Sequence, residues 1–348
     1  MKGIIKKLIL MIPSINRLYL ELLVLRRFRE EVDNTNVQEN KEAEIMALAA
    51  QSPAKLKLMK NFEELDEFIK ECKSKSSAGL SLSEQRDYWK THQLDFESFV
   101  ESFTPRPNCD PFSEEYKNWE MSFFEFISGR DYKLSNEGSD VTNMKGISSL
   151  DVYGFDYRIW QIKVYADFMD KIRPKPGLRV LDMGGGFGYL AEFMARLGCN
   201  VTTIDLAKGF EEYIRETVVA GQNIELKAIQ GSFYDIENYE ETYDIIVFEQ
   251  SLHHCCEPVR MFEILSKKVV PGGRVYLLNE PFTQQYDRPW GIVRYDGETM
   301  MQIRMNGWME LGYRMDFFEE LVFRTGFKLV NMHMLHGGGC NLFEIMKM

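Results

Sequence analysis

In this 348-residue chain, the residues whose types and spacing suggest chemistry begin with Val180-Leu181-Asp182-Met183-Gly184-Gly185-Gly186-Phe187-Gly188. It reads as an apolar strand entering a glycine-rich turn. Glycines there let the backbone bend tightly and approach a ligand to van der Waals contact, which a Cβ would prevent. Asp205 ends the next apolar strand, where a carboxylate can accept hydrogen bonds from both hydroxyls of a ribose. An adenosine-containing ligand follows. Gly186-Phe187-Gly188-Tyr189-Leu190-Ala191 also satisfies a GxGxxA dinucleotide fingerprint, so a nicotinamide cofactor and oxidoreductase chemistry is the alternative. Against it, the glycines start late after the strand, and Asp182 would meet the negative charge of a pyrophosphate; a carboxylate there suits a cationic ligand. No GxxxxGK[ST] occurs, which excludes a P-loop.

The elements that must position these residues alternate strand, turn and helix from Pro174 onward, the pattern of a parallel sheet with crossover helices. Strands are expected over Val180–Met183, Val201–Ile204, Ile224–Ile229, Tyr243–Phe248 and Arg274–Asn279. Helices are expected over Phe187–Leu197, Phe210–Ala220 and Val259–Val270, and Pro271-Gly272-Gly273 reads as the turn before the fifth strand. After a helix over Met315–Arg324, Lys328–Leu335 and Asn341–Met346 flank Gly337-Gly338-Gly339, which predicts an antiparallel hairpin. Pro281–Gly312, rich in Trp, Tyr, Gly and Met, is long enough for an active-site lid. Upstream, a short helix is expected over Leu56–Ile69 and an aromatic one over Asp110–Ile127.

With those motifs placed, residues 151–348 resemble the class I S-adenosylmethionine-dependent methyltransferase family. Asp182-x-Gly184-x-Gly186-x-Gly188 is similar to the family's first motif, whose acid and loop receive the amino-acid end of the cofactor. Asp205 matches the ribose-binding acid. Tyr243–Val247 followed by Ser251-Leu252-His253-His254 resembles the fourth strand and its exit; Glu249, by its place at that strand's end, is a candidate to bind the cofactor or orient a polar acceptor, the alternative being a solvated strand-end acid. One departure is Gly231-Ser232-Phe233, where many members carry Gly-Asp before the adenine pocket; Ser232 can hydrogen-bond the adenine amine as a neutral hydroxyl. The resemblance implies an α/β, doubly wound, mainly parallel seven-stranded Rossmann-like sheet with an antiparallel C-terminal hairpin, preceded by a mostly helical N-terminal region. It implies S-adenosyl-L-methionine as cofactor and is silent on the acceptor.

Methyl transfer from a sulfonium is an in-line displacement, so positioning carries most of the barrier reduction. Where the acceptor is a hydroxyl, a general base adds about 10²–10⁴-fold, and histidine suits that task near neutrality. His253 and His254 stand at the carboxyl end of the fourth strand, where ligands of open α/β sheets bind. Adjacent residues on an extended chain point opposite ways, so at most one faces the acceptor. The plainer alternative is that both only shape a loop. His253-His254-Cys255-Cys256 does not read as a metal site, because four consecutive residues cannot easily wrap one tetrahedral ion. Glu280, Trp290, Tyr295 and Trp308 are the acceptor-binding candidates; aromatics of this kind also simply pack a flap.

Composition bounds the rest. Hydrophobic residues make up 45% of the chain, enough for sizeable cores, and the net charge of −11 argues against a nucleic-acid target. Six cysteines without CxxC spacing fit a reducing cytosol. The start differs: residues 1–31 carry seven cations against three acids, interleaved with Ile, Leu, Tyr and Val. Its apolar runs fall short of the roughly 18–20 residues of a spanning helix, so it reads as an amphipathic helix on an anionic inner membrane face or docked on protein. Three segments are expected: a basic helix at 1–32, a mostly helical accessory region with linker at 33–150, and the methyltransferase domain at 151–348 with its lid at 281–312. The acceptor is expected to be a small molecule or a glycan, methylated at oxygen, with self-association left open; beside the oxidoreductase, the other alternative is a non-catalytic scaffold that retains the fold.

Overall fold

The computed structural model describes residues 57–77, 85, 88–89, 91–95, 98–99, 103–139, 141–142, 154–284, 288–292 and 297–348. The basic start, the 33–41 linker and Tyr295 lie outside the described residues. Strands β3 (Arg179–Met183), β4 (Asn200–Asp205), β5 (Leu226–Gln230), β6 (Tyr243–Glu249) and β7 (Val269–Leu278) are mutually parallel. Most of their residues are apolar and several are buried on both faces, as a sheet covered by helices on both sides requires. β11 (Phe327–Leu335) and β12 (Cys340–Lys347) pair antiparallel, and β12 runs antiparallel to β7. The seven strands lie in the order β11-β12-β7-β6-β3-β4-β5. Connections therefore leave β3 toward β4 on one side and reach β6 on the other, opening a crevice at the carboxyl ends of β3 and β6.

Local departures from the sequence expectations have physical causes. The segment expected as one helix from Phe210 is a single α-turn, Phe210–Tyr213, that continues as a π-helix over Ile214–Val219. Its Phe210, Tyr213, Ile214 and Val218 still bury one stripe, and Ile214 packs directly over Gly188. Pro271-Gly272-Gly273 lies inside β7 and not before it: the ladder to β6 shifts register between Tyr243 and Ile245, absorbing the extra residues as a bulge. Upstream, Lys57–Met59 is a strand, β1, paired in parallel with β2 (His92–Leu94), and helix α1 starts only at Phe62 and runs to Ser77. The aromatic helix α2 spans Glu114–Ser128; the Ser113 hydroxyl caps it by accepting the Tyr116 amide, and left-handed Gly129 ends it.

Helix α3 (Phe155–Ile172) and α4 (Tyr189–Arg196) cover one sheet face through Val164, Phe168, Leu190 and Met194, against Val180, Val201 and Val247. The other face meets a cap. Residues 281–312 form much of it: β8 (Phe282–Thr283), β9 (Trp290–Ile292), helix α5 (Gly297–Asn306) and the start of β10 (Leu311–Arg314), the strands ordered β8-β10-β9. One apolar core runs from Phe68, Tyr116, Phe123 and Phe124 through Trp290, Met300 and Tyr313 to Leu181 and Phe248 of the sheet. Residues 57–348 accordingly cluster as one unit. Inside the cap, Glu120 of α2 and Arg288 of the insertion form an ion pair at 3.1 Å with both side chains 3% exposed. Burial pushes Glu120 up to about 7 against the opposing pull of Arg288 and the Tyr116 hydroxyl. Gly291 adjoins that carboxylate so closely that a Cβ would fall 2.0 Å from Oε2. All six cysteines are free thiols; five are buried and Cys109 is half-buried.

Candidate active site

The glycine turn is shaped from below. Gly184 and Gly185 donate their amides to Ile204 O at 2.8 and 3.2 Å, and Ser251 Oγ donates to Met183 O at 2.6 Å. A Cβ on Gly185 would stand 1.9 Å from Thr203 Oγ1, and one on Gly188 2.5 Å from Ile214 Cδ1. Those glycines answer to protein neighbours. Gly186 differs: its φ is +52° and its Cβ position has nothing within 4 Å, so this residue faces open space where a ligand can lie against the backbone. Its amide donates to Asp205 Oδ2 at 2.9 Å, and Ala207 N donates to Oδ1 at 2.8 Å. Each oxygen of Asp205 keeps a further lone pair for a ribose hydroxyl.

Three acids crowd this end of the sheet. Asp182 is 2% exposed and accepts Thr203 Oγ1 at 3.0 Å. Burial, reinforced by the charges of Glu249 and Asp205 and only partly offset by the Thr203 hydroxyl, raises it to about 7. Glu249 accepts Tyr165 Oη at 2.6 Å and amide protons of Gln161 and Gln250 at 3.5 and 3.3 Å, and burial raises it as well. Asp205 is raised by burial against the Gly186 and Ala207 amides. A cluster of carboxylates, one buried and two half-buried, held above their ordinary range is a site that a cation relieves. The ammonium and sulfonium of S-adenosylmethionine supply that charge, so these residues fit the cofactor. Nearby, Arg158 of α3 bonds Gln161 and stacks 3.7 Å over the Tyr189 ring, with Nη2 buried and lacking a hydrogen-bond partner among the described residues. Ser232 forms a capping box with Asp235, and Phe233 lies edge-on to Phe248 at 5.7 Å, beside Gly184.

On the acceptor side, Glu280 is fully used by the turn after β6. Its Oε1 accepts the Ser251 and Leu252 amides at 2.7 and 2.8 Å, and its Oε2 accepts the His253 amide at 3.2 Å and lies 2.8 Å from His253 Nδ1. Burial works to raise it, but the facing imidazole and those amides hold it below its ordinary value. With Glu280 an acceptor, the tautomer inferred for His253 carries its proton on Nδ1 and leaves Nε2 as the base site. His254 is set otherwise: burial would lower it, yet Glu137, Glu310 and Glu280 outweigh burial and raise it to about 9. Its Nδ1 stands 3.2 Å from Glu137 Oε2, an ion contact without hydrogen-bond alignment. The two imidazole centroids are 4.3 Å apart, and Trp308 meets His254 edge-on at 5.9 Å.

The crevice thus gathers Asp182, Gly184, Gly186, Gly188, Asp205, Phe233, Glu249, His253, His254, Glu280 and Trp308. Trp290 is elsewhere, 2% exposed in the cap with its Nε1 donating to Pro111 O and its ring against Tyr116. Glu137, Arg158, Gln161, Tyr165 and Glu310 join the site without any motif to announce them. Among the described residues no His/Cys/Asp/Glu group could hold a metal ion. An open cleft of about 610 Å³ lies at the opposite, amino-terminal end of the sheet, lined by Lys171, Lys175, Asp244 and Arg274 among others, and shares none of these residues.

Residues 181–277 match the family model described as a methyltransferase domain. Residues 181–277 are thus a methyltransferase domain, and the sheet order and the acid-lined glycine turn agree with the class I S-adenosylmethionine-dependent family that the motifs resemble. The dinucleotide alternative for Gly186–Ala191 is set aside by the same match. Among curated relatives, the chain is 28% identical over 172 residues to a mitochondrial ubiquinone biosynthesis O-methyltransferase of Dictyostelium discoideum, covering 43% of this chain and 52% of that protein. It is 36% identical over 104 residues to a ubiquinone biosynthesis O-methyltransferase of Vibrio cholerae, covering 29% and 41%. The chain thus spans about half the length, or less, of these relatives. A crystal structure of an S-adenosylmethionine dependent methyltransferase from Mesorhizobium loti aligns with TM-score 0.42 and 17% identity over 52% of this chain and 96% of that one.

Proposed function

We propose that the chain transfers a methyl group from S-adenosylmethionine to a hydroxyl of a small molecule or glycan, with His253 as the general base. The observation that carries the reading is the trio of carboxylates, buried Asp182 with half-buried Glu249 and Asp205, set around a glycine turn whose Gly186 opens onto free space. When bound, the cofactor supplies an electrophilic methyl on a sulfonium. Asp182 and Glu249 neutralise its cationic end, Asp205 and the Gly186 backbone take the ribose, and Ser232 and Phe233 border the adenine. Arg158, with an orphaned Nη2, suits the cofactor's carboxylate. Glu280 orients His253 so that Nε2 accepts the hydroxyl proton as the oxygen attacks; the resulting imidazolium is stabilised by the same carboxylate. His254, cationic at neutral pH, is not the base in this scheme.

The relatives named O-methyltransferases favour oxygen as the acceptor atom. No helix of the described residues is long and apolar enough to cross a membrane. Contact of residues 1–31 with an anionic membrane face, and the 1–32, 33–150 and 151–348 segmentation, belong to this proposal. Titration calorimetry of the purified chain with S-adenosylhomocysteine tests it: micromolar binding is expected, with reduced nicotinamide dinucleotides giving no heat. Silence with S-adenosylhomocysteine, or a response to the nicotinamide alone, overturns it.

A further inference from the structure

Residues 134–139, with 141 and 142, lie at the carboxyl edge of the sheet as a strap. Lys208 N donates to Ser139 O at 2.8 Å and Val141 N to Lys208 O at 3.0 Å, fixing the strap to the loop just after Asp205. Gly138 lies so close to that loop that a Cβ would stand 2.8 Å from Leu206 O. The strap then delivers Glu137, from outside the region matched as a methyltransferase domain, into the crevice. Glu137 Oε1 accepts the Met309 amide at 2.7 Å, beside Trp308, and Oε2 lies 3.2 Å from His254 Nδ1. Its side chain is 8% exposed.

One carboxylate therefore joins three elements: the strap, the turn carrying both histidines, and the insertion that carries Trp308. We propose that Glu137 is a positioning residue for the transfer, fixing His254 and Trp308, whose rings meet edge-on, as one wall of the acceptor site. This rests on the methyl-transfer reading above. Every charged group facing His254 enters the balance: Glu137 from the strap, Glu310 from the insertion, Glu280 from the end of β7, Asp205 from the end of β4, and the neighbouring His253. Glu137 Oε2 is in ion contact with the His254 ring, 3.2 Å from Nδ1. Removing its charge while keeping its shape releases the imidazole and loosens Trp308 together, which loss of simple packing would not do.

The chain has five histidines, so each ring can be followed by NMR through its Cε1–Hε1 signal as pH is varied. In the wild type, His254 is expected to titrate near 9. In Glu137→Gln, its midpoint falls by about 1–3 units, the reach of an opposite charge at this range. Glu137→Asp recovers part of the shift. S-adenosylhomocysteine affinity stays within about twofold throughout, since Glu137 touches the acceptor side. An unmoved His254 midpoint in folded Glu137→Gln overturns the proposal. So does a wild-type midpoint at the ordinary histidine value, which needs no variant to fold. If the wild type fails to bind S-adenosylhomocysteine, the methyl-transfer reading falls, whatever His254 does.

Discussion

Asp182 holds a proton that an exposed aspartate would have released. Its folded value of about 7 lies above the ordinary 3.8, so between those limits the folded chain binds a proton that the unfolded chain lacks. Raising the pH through that window destabilises the ligand-free protein through this group. Asp182→Asn removes the buried charge, and its melting temperature at pH 8 is expected to exceed that of the wild type in differential scanning calorimetry. Ligand binding runs the other way: a cation beside Asp182 expels the proton, so affinity for S-adenosylmethionine should climb from pH 6 to about 7 and then level off. The Asn variant should bind more weakly and without that slope; an unchanged slope would remove Asp182 from the site. Of the residues at this scale, those in the chain's local pattern were legible beforehand: Asp182, Asp205 and the glycines sit at fixed offsets from strand ends. Glu137, Arg158 and Tyr165 were not, because each reaches the crevice from a helix or turn distant in sequence. Only the tertiary fold brings them there.

The glycine turn makes two separable demands. Gly185 is needed by the fold, since a Cβ would collide with Thr203, whereas Gly186 has open space at its Cβ position. Gly185→Ala should therefore lower the unfolding midpoint sharply, by overpacking of about 1–3 kcal/mol. Gly186→Ala should keep most of the stability, losing about 1–2 kcal/mol to its left-handed backbone, while weakening S-adenosylhomocysteine binding at least tenfold. Comparable affinity loss in both variants, measured by calorimetry on folded protein, would contradict the assignment. The strands and the final hairpin were readable because apolar runs and glycine turns are local signals. The π-helix at Ile214–Val219 and the bulge inside β7 were not, since the packing of Ile214 over Gly188 and the β6–β7 register decide them.

Across the whole molecule, one core joins the upstream helices to the sheet, and the Glu120–Arg288 pair lies at the heart of the cap. Arg288→Met strands a buried carboxylate and should cost about 3–5 kcal/mol in urea unfolding at pH 8. At pH 6 the loss should be smaller, because Glu120, already raised to about 7, escapes by taking a proton. Equal losses at both pH values would mean that the pair is not electrostatically coupled. This sharing of a core was not legible in the sequence, where the 150/151 division follows the extent of the family resemblance and no local pattern marks contacts between distant segments. The buried thiols extend the point. With Cys72, Cys199, Cys255, Cys256 and Cys340 sealed in the packed interior and Cys109 half-open, an alkylating reagent meets one thiol on the native protein and six on the unfolded chain. The molecule therefore carries its own clock: the rate at which the five hidden sulfurs become reactive counts how often the fold opens.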